Sequence, residues 1–165
     1  MSRFLSQMTI QPFEDSNLDE VIALSLRAWE PVFESLEREM DPEVYRHFFP
    51  DWRVTQAEAV RDACADEDVH VRVAYESGRV AGFVALKLHV EDRLGEINMI
   101  AVDPHFQRRG IARELTNHAM HWFEDQGMVV AMVETGGDPG HAPARRAYES
   151  AGFRRLHVAR YFKKI

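Results

Sequence analysis

The sequence holds a single cysteine, Cys64, so no internal disulfide framework can staple it. Cys64 sits beside Ala63 and Ala65 in a helical stretch, where a buried or half-buried thiol is expected rather than a nucleophile. No apolar run reaches the ~18 residues that a membrane-spanning helix needs. Positive charge is also scarce: 20 Lys and Arg stand against 27 Asp and Glu, a formal net charge of −7. A general nucleic-acid binder meets phosphates with a basic face, so this balance argues against that class and suits a cationic or amine-bearing partner. Two phosphate signatures are missing. Without G-x-x-x-x-G-K-[ST] a P-loop nucleotidase is disfavoured, and without G-x-G-x-x-G opening a βαβ unit so is a dinucleotide fold. The opening Met-Ser-Arg-Phe-Leu-Ser-Gln is too short and polar for a signal peptide, which makes the cytoplasm the expected compartment. There are no internal repeats, low-complexity runs or linkers.

What is present reads as one domain over residues 1–165, with 45% hydrophobic and 28% charged residues. Met8 to Phe13 reads as a short strand. Asp15 or Ser16 can cap a helix with apolar Leu18, Val21, Ile22, Leu24 and Leu26, interrupted or restarted at Pro31. Asp41-Pro42 is a cap followed by proline at the first helical position. Thr55-x-x-Glu58 is a capping box for a helix reaching about Ala65. The pattern then switches to period two. Val69, Val71 and Val73 lead through the Ser77-Gly78 turn to a strand from Val80 to Val90, and a second turn leads to Leu94–Val102. A crossover helix over Ile111–Gln126, closed by Gly127, returns to a strand from Met128 to Val133. Phe153 to Ile165 has room for one or two closing strands.

The most informative run is Ile100-Ala101-Val102-Asp103-Pro104-His105-Phe106-Gln107-Arg108-Arg109-Gly110-Ile111-Ala112. An apolar strand stops at Asp-Pro, because proline has no N–H for a ladder. A basic loop with Gly110 follows, then a helix start. The first N–H groups of a helix have no intrahelical partner and carry roughly half a positive charge, so strand, loop and helix together make an anion site for a phosphate or pyrophosphate. Gly110 and Ala112 let the backbone approach it.

Gln107-x-x-Gly110-x-Ala112 resembles the Q/R-x-x-G-x-G/A pyrophosphate loop of the GNAT superfamily of acetyl-CoA-dependent N-acetyltransferases. Ala144-x-x-x-Tyr148-x-x-x-Gly152-Phe153 is similar to the superfamily's A-x-x-x-Y-x-x-x-G-F ending. The likeness covers about residues 70–160 well. It implies an α/β fold: a mixed, mostly antiparallel sheet, helices on both faces, and a V-shaped splay between the fourth and fifth strands. It also implies acetyl-CoA as co-substrate, no metal, and an acyltransferase activity. The pantetheine arm would bond the backbone of Ile100, Ala101 and Val102, and the pyrophosphate would meet Gln107, Arg108, Arg109, Gly110, Ile111 and Ala112. His141 stands where many members carry an asparagine that bonds the arm, and it is expected at the cofactor, with the acceptor or a helix cap as alternatives.

Acetylation of an amine needs a base for an ammonium proton and an acid for the leaving thiolate. Glu96 is the leading base, an uncommon glutamate in an apolar strand that shares a face with Asn98 and Ile100 if no bulge intervenes. Its alternative role is a solvated partner of Arg72 or Lys87, and Glu134 is the second candidate base. Tyr148 is the leading acid, the alternative being core packing. His118 and His121 are three apart on one helix, but no third metal ligand accompanies them. Trp29, Phe33, Tyr45, Phe48, Phe49 and Trp52 crowd the N-terminal helices. With Glu30, Glu34 and Asp51 they are expected to flank an acceptor pocket closed by the Gly136–Pro143 loop. The expected acceptor is a small-molecule or peptide amine, without nucleic acid or membrane partners, and a homodimer stays open. A protein N-terminal or lysine acetyltransferase and a non-catalytic acetyl-CoA-binding module are the alternatives.

Overall fold

The period-two segments do form one sheet. The computed structural model describes residues 8–165, so the opening heptapeptide lies outside the described residues. Strand β1 (Met8–Pro12) is followed by three helices, α1 (Leu18–Glu39), α2 (Pro42–Phe48) and α3 (Trp52–Ala65). Strands β2 (His70–Glu76), β3 (Arg79–His89) and β4 (Leu94–Val102) come next, then α4 (Ile111–Asp125), β5 (Val130–Val133) and α5 (Ala142–Ser150). The sheet order is β1-β2-β3-β4-β5, antiparallel until the parallel pair β4–β5.

Alternation sorts the strand residues onto two cores. Val71, Val73, Phe83 and Ala85 join Val21 and Leu24 of α1 and Val60 of α3 on one face. Val84, Leu86, Ile97 and Val102 pack against Ile111, Leu115, Ala119 and Phe123 of α4 on the other. Burying such aliphatic side chains contributes about 1.5–3 kcal/mol each, which fixes the strand register. Among the described residues no helix is long and apolar enough to cross a membrane. Cys64 is half-buried, and burial pushes its thiol up to about 11.

Four expectations change. Pro31 does not break α1, which runs through it for 22 residues. The apolar face carrying Val21, Leu24 and Phe33 outweighs the one backbone bond an internal proline forfeits. Helix α3 opens at Asp51, whose carboxylate accepts from the Val54 amide, rather than at Thr55, whose hydroxyl donates back to the Asp51 carbonyl at 3.2 Å. The β3–β4 register slips between Ala85 and Leu86, which pair with Met99 and Ile97, so Asn98 is an extra residue in β4. Glu96 therefore shares its face with Met99 and Ala101, not with Asn98 and Ile100. Finally, Phe153 to Ile165 forms no strand. The short β5 offers little edge to extend, and the segment instead turns back over α2, where the Phe162 and Phe48 rings lie 5.1 Å apart and Lys164 pairs with Glu43 at 2.9 Å.

Candidate active site

The splay is a consequence of strand length. Strand β5 pairs only with Leu94–Ile97 and ends at Val133, so among the described residues no strand pairs with the far half of β4 on that side. The edge of β4 beyond Ile97 is left open to a ligand that can bond like an extra strand. Val102 differs, because the Gln107 amide already donates to its carbonyl at 3.2 Å.

At the end of β4 the Asp103 carboxylate accepts from the His105 amide and turns the chain through Pro104–Phe106. Arg108 and Gly110 both take positive φ, 64° and 85°, with Arg109 between them outside that region. Left-handed residues in such a turn are a feature of backbone anion-binding concavities. Gly110 stands at the N-cap of α4 with no side-chain cap, so the first amides of the helix remain available. One Nη of Arg109 donates to Glu76 at 3.0 Å and the guanidinium lies over the Phe106 ring, which leaves its other N–H groups to meet an anion. Uncapped amides, a left-handed glycine and an open strand edge fit a pantetheine arm ending in a pyrophosphate.

The loop after β5 is built differently. Asp138 accepts from the Gly140 amide at 3.0 Å and pairs with His141 through the ring Nδ1. Gly140 also donates to the buried Ser35 hydroxyl of α1 at 2.9 Å. From α5, Arg145 donates to the carbonyls of Gly136 and Asp138, the latter at 2.8 Å. Burial pulls the Asp138 carboxyl upward, but its bonds with Ser35 and His141 outweigh that and hold it below the usual carboxylate range. Helix α1 pins both loops, because Arg27 also bonds Asp103 at 2.5 Å. Burial raises the Asp103 carboxyl too, and Arg27 and His105 more than offset it.

Between this loop, α1, α2 and the returning C-terminal segment lies a cavity of about 940 Å³. Its walls include Glu39, Asp41, Glu134, Asp138, His141 and Arg160, with Met40, Phe48, Phe49 and Phe162 as apolar surface. The pocket anticipated from sequence is split. Glu30, Glu34 and Asp51 line a separate, smaller pocket of about 390 Å³ beside Tyr45 and Trp52. Trp29 lies outside both and packs edge-on against Phe83, 6.3 Å between centroids. Sequence reasoning missed Glu39, Asp41 and Arg160. The Asp-Pro turn at 41 was a visible sign that the end of α1 is a corner.

The two leading catalytic candidates fall in different surroundings. Glu96 lies opposite Lys87 and is engaged by His89, Nε2 to Oε2 2.6 Å, outside the walls of the large cavity. Glu134 follows directly on β5 and forms part of those walls. Tyr148 of α5 sets its ring edge-on to Phe153, and burial lifts its phenol to about 12, so it holds its proton at neutral pH. His118 is half-buried and His121 exposed. Among the described residues no group of three or more His, Cys, Asp or Glu could hold a metal ion.

A sheet splayed after its fourth strand, with an uncapped glycine-opened helix at the mouth, defines an acyltransferase fold of the acetyl-CoA-using kind. The chain belongs to the acetyltransferase (GNAT) family, whose family profile matches residues 29–153. A mycothiol acetyltransferase of Thermomonospora curvata is 33% identical over 94% of this chain, which spans 53% of that protein. An uncharacterized N-acetyltransferase of Bacillus subtilis is 35% identical over 48% of the chain and 52% of its own length. The chain thus spans about half the length of these curated relatives. Among solved structures, the ribosomal-protein-S18-alanine N-acetyltransferase of Escherichia coli superposes with a TM-score of 0.67 at 20% identity, over 92% of this chain and 80% of that one. An aminoglycoside N-acetyltransferase in complex with CoA gives 0.68 at 15% identity, over 99% of both chains. These two likenesses bear on the fold.

Proposed function

We propose that this chain moves an acetyl group from acetyl-CoA to the primary amine of a small molecule. The observation that carries the reading is the cavity of about 940 Å³ beginning where β5 ends, with carboxylates and aromatic rings on its walls. Carboxylates attract an ammonium group, and rings exclude water around it. The name of one relative, a mycothiol acetyltransferase, supports a small acceptor.

Acetyl-CoA, when bound, supplies an acetyl thioester. The chain's own part is to hold it along Ile100, Ala101 and Val102, to meet its pyrophosphate with the amides of Gly110, Ile111 and Ala112, and to add charge from Arg108. Tyr148, protonated at neutral pH, donates to the departing sulfur. A carboxylate orients the amine and accepts a proton from its nitrogen. Glu134 is favoured for this by its place in the cavity wall, while Glu96 would act from beside His89 through water. Removal of a general base or acid costs ~10²–10⁴ in rate.

The test is a panel of small amines, peptides with free N-termini and lysine peptides, assayed for release of the CoA thiol. Turnover confined to small amines supports the reading. Turnover of peptides alone makes the chain a protein acetyltransferase, and tight acetyl-CoA binding with no turnover of any amine makes it a binding module. Within the panel, Glu134→Gln should lose more turnover than Glu96→Gln; the reverse ranking restores Glu96 as the base.

A further inference from the structure

The Gly136–His141 loop is constructed around one pair of side chains. Asp138 and His141 meet through Nδ1 of the ring. A Cβ on Gly136 would stand 2.4 Å from Asp138 Oδ1 and 2.5 Å from His141 Nδ1, so any larger residue there would displace the pair. A Cβ on Gly140 would stand 2.6 Å from the Ser35 Cβ and 3.0 Å from Asp138 Oδ2. Neither glycine takes a positive φ. Their small size, not their flexibility, is what the site uses. Ser35, Arg145 and the Gly140 amide fix the rest of the loop. The His141 side chain is 18% exposed and forms part of the large cavity's wall.

We infer that His141 is a catalytic base: Asp138 holds its ring through Nδ1, and Nε2 takes a proton from the acceptor ammonium. The inference rests on the acetyl-transfer reading and adds a residue to it. An ionised carboxylate on Nδ1 selects the tautomer whose Nε2 carries a lone pair, so the second ring nitrogen is an acceptor. The reaction needs such a group in addition to a carboxylate. Converting R–NH₃⁺ and an acetyl thioester to R–NH–acetyl and a thiol breaks two N–H bonds and the C–S bond, and forms one C–N bond and one S–H bond. One of the two protons ends on sulfur, and the other leaves for solvent. An ammonium is a weak acid, and an imidazole matches it better than a carboxylate does. His141 takes this first proton and passes it to water; the carboxylate accepts from the more acidic nitrogen that bears the new C–N bond, and Tyr148 protonates the sulfur. The charged groups facing His141 across the cavity are Glu39, Asp41, Glu134 and Arg160, with Asp138 on its own loop. Asp138 is a positioning residue.

His141→Asn separates this role from a cofactor anchor, because asparagine can still bond a pantetheine arm but cannot accept a proton. The expected result is a fall in kcat of ~10²–10⁴. Acetyl-CoA affinity by calorimetry should stay within about twofold, and the loss of rate should shrink at high pH, where free amine is abundant. His141→Gln serves if the asparagine variant does not fold. Asp138→Asn should lower kcat less, leave acetyl-CoA affinity unaltered, and remove the exchange-protected Nδ1–H signal of His141 in the proton NMR spectrum. Wild-type turnover retained in His141→Asn, or a loss of acetyl-CoA affinity as large as the loss of rate, would overturn the assignment while leaving the acetyltransferase reading intact. A wild-type protein that binds acetyl-CoA but acetylates no amine overturns both.

Discussion

Two glycine-bearing loops follow the two splayed strands, one after β4 and one after β5, and they use glycine in opposite ways. In Gln107–Ala112, Gly110 sits at φ 85° with nothing within 4 Å of where its Cβ would be. The constraint there is conformational, and the product is a set of free backbone amides. In Gly136–His141, neither glycine needs an unusual φ, but both would drive a Cβ into packed atoms. The constraint is room, and the product is a fixed pair of side chains. A backbone site of the first kind binds a group common to many enzymes. In the reading proposed above, a side-chain site of the second kind serves the acceptor chemistry.

The difference predicts which function each loop loses. Gly136→Ala should have the largest effect, lowering turnover by ~10²–10³ through displacement of the Asp138–His141 pair, with acetyl-CoA affinity near normal. Steady-state kinetics beside calorimetry reads both. A parallel loss of acetyl-CoA affinity would mean that the second loop holds the cofactor as well.

Gly110→Glu should do the converse. A non-glycine residue at that φ costs on the order of 1–3 kcal/mol, and the carboxylate repels a pyrophosphate. Acetyl-CoA affinity should fall by roughly tenfold or more, while maximal turnover at saturating acetyl-CoA changes little. Gly110→Ala should lie between, since its methyl group meets open space and only the φ strain remains. Unchanged acetyl-CoA affinity in folded Gly110→Glu would remove the pyrophosphate from this loop.

The first loop was legible in sequence because its determinants are local. Asp-Pro, Gln107, Gly110 and the helical spacing after Ile111 lie within about a dozen residues, and each acts through its own backbone. The antiparallel meander from β2 to β4 followed from the same kind of signal, whereas the fifth strand is shorter, Val130–Val133, than the Met128–Val133 read from sequence. The second loop was half legible. Asp138-Pro139 marks a turn with His141 three residues beyond its first residue, but the support from Ser35 comes from 105 residues away. The wall expected from sequence divides between two pockets for a related reason. Glu30 and Glu34 were assigned to the cleft, yet the rotation of α1 turns them toward Tyr45 and Trp52, while Leu36, Glu39 and Met40 face the β5 end. That rotation is set by tertiary packing. The Asn98 bulge was equally hidden, since one extra residue in a strand leaves the composition unchanged and exchanges the faces on either side of it.

Positions outside both loops sharpen the contrast further. Trp29→Ala should reduce stability by about 2 kcal/mol through the lost packing on Phe83, with both Michaelis constants unaltered. Denaturant unfolding and steady-state kinetics check this together. Met40→Trp, at the cavity wall, should raise the acceptor's Michaelis constant alone by filling the space. If Trp29→Ala instead changes the acceptor constant, the smaller pocket on the other side of α1 is the acceptor site.

The smallest effect expected is a separation of two pH dependences. His70 of β2 stacks on Trp122 of α4, ring centroids 4.1 Å apart, on the sheet face away from α1. Burial, then Arg72 and His118, lower its imidazole to about 4. In the unfolded chain an imidazole titrates near 6.5. The unfolded state therefore binds more protons between these values, and stability falls as pH drops from about 6.5 toward 4. Asp103 and Asp138 do not contribute to that loss. Their folded carboxyls lie lower than unfolded ones, so their stabilisation is complete above the ordinary carboxyl range and disappears only as pH falls through their folded values. His70→Phe keeps a ring against Trp122 and removes the titration. Its melting temperature should change less between pH 7 and pH 5 than that of wild type, while the acidic limb of turnover stays in place. If His70→Phe removes the limb of turnover as well, acid inactivation reflects loss of the fold, and the pH profile no longer supports a base in the acceptor cavity.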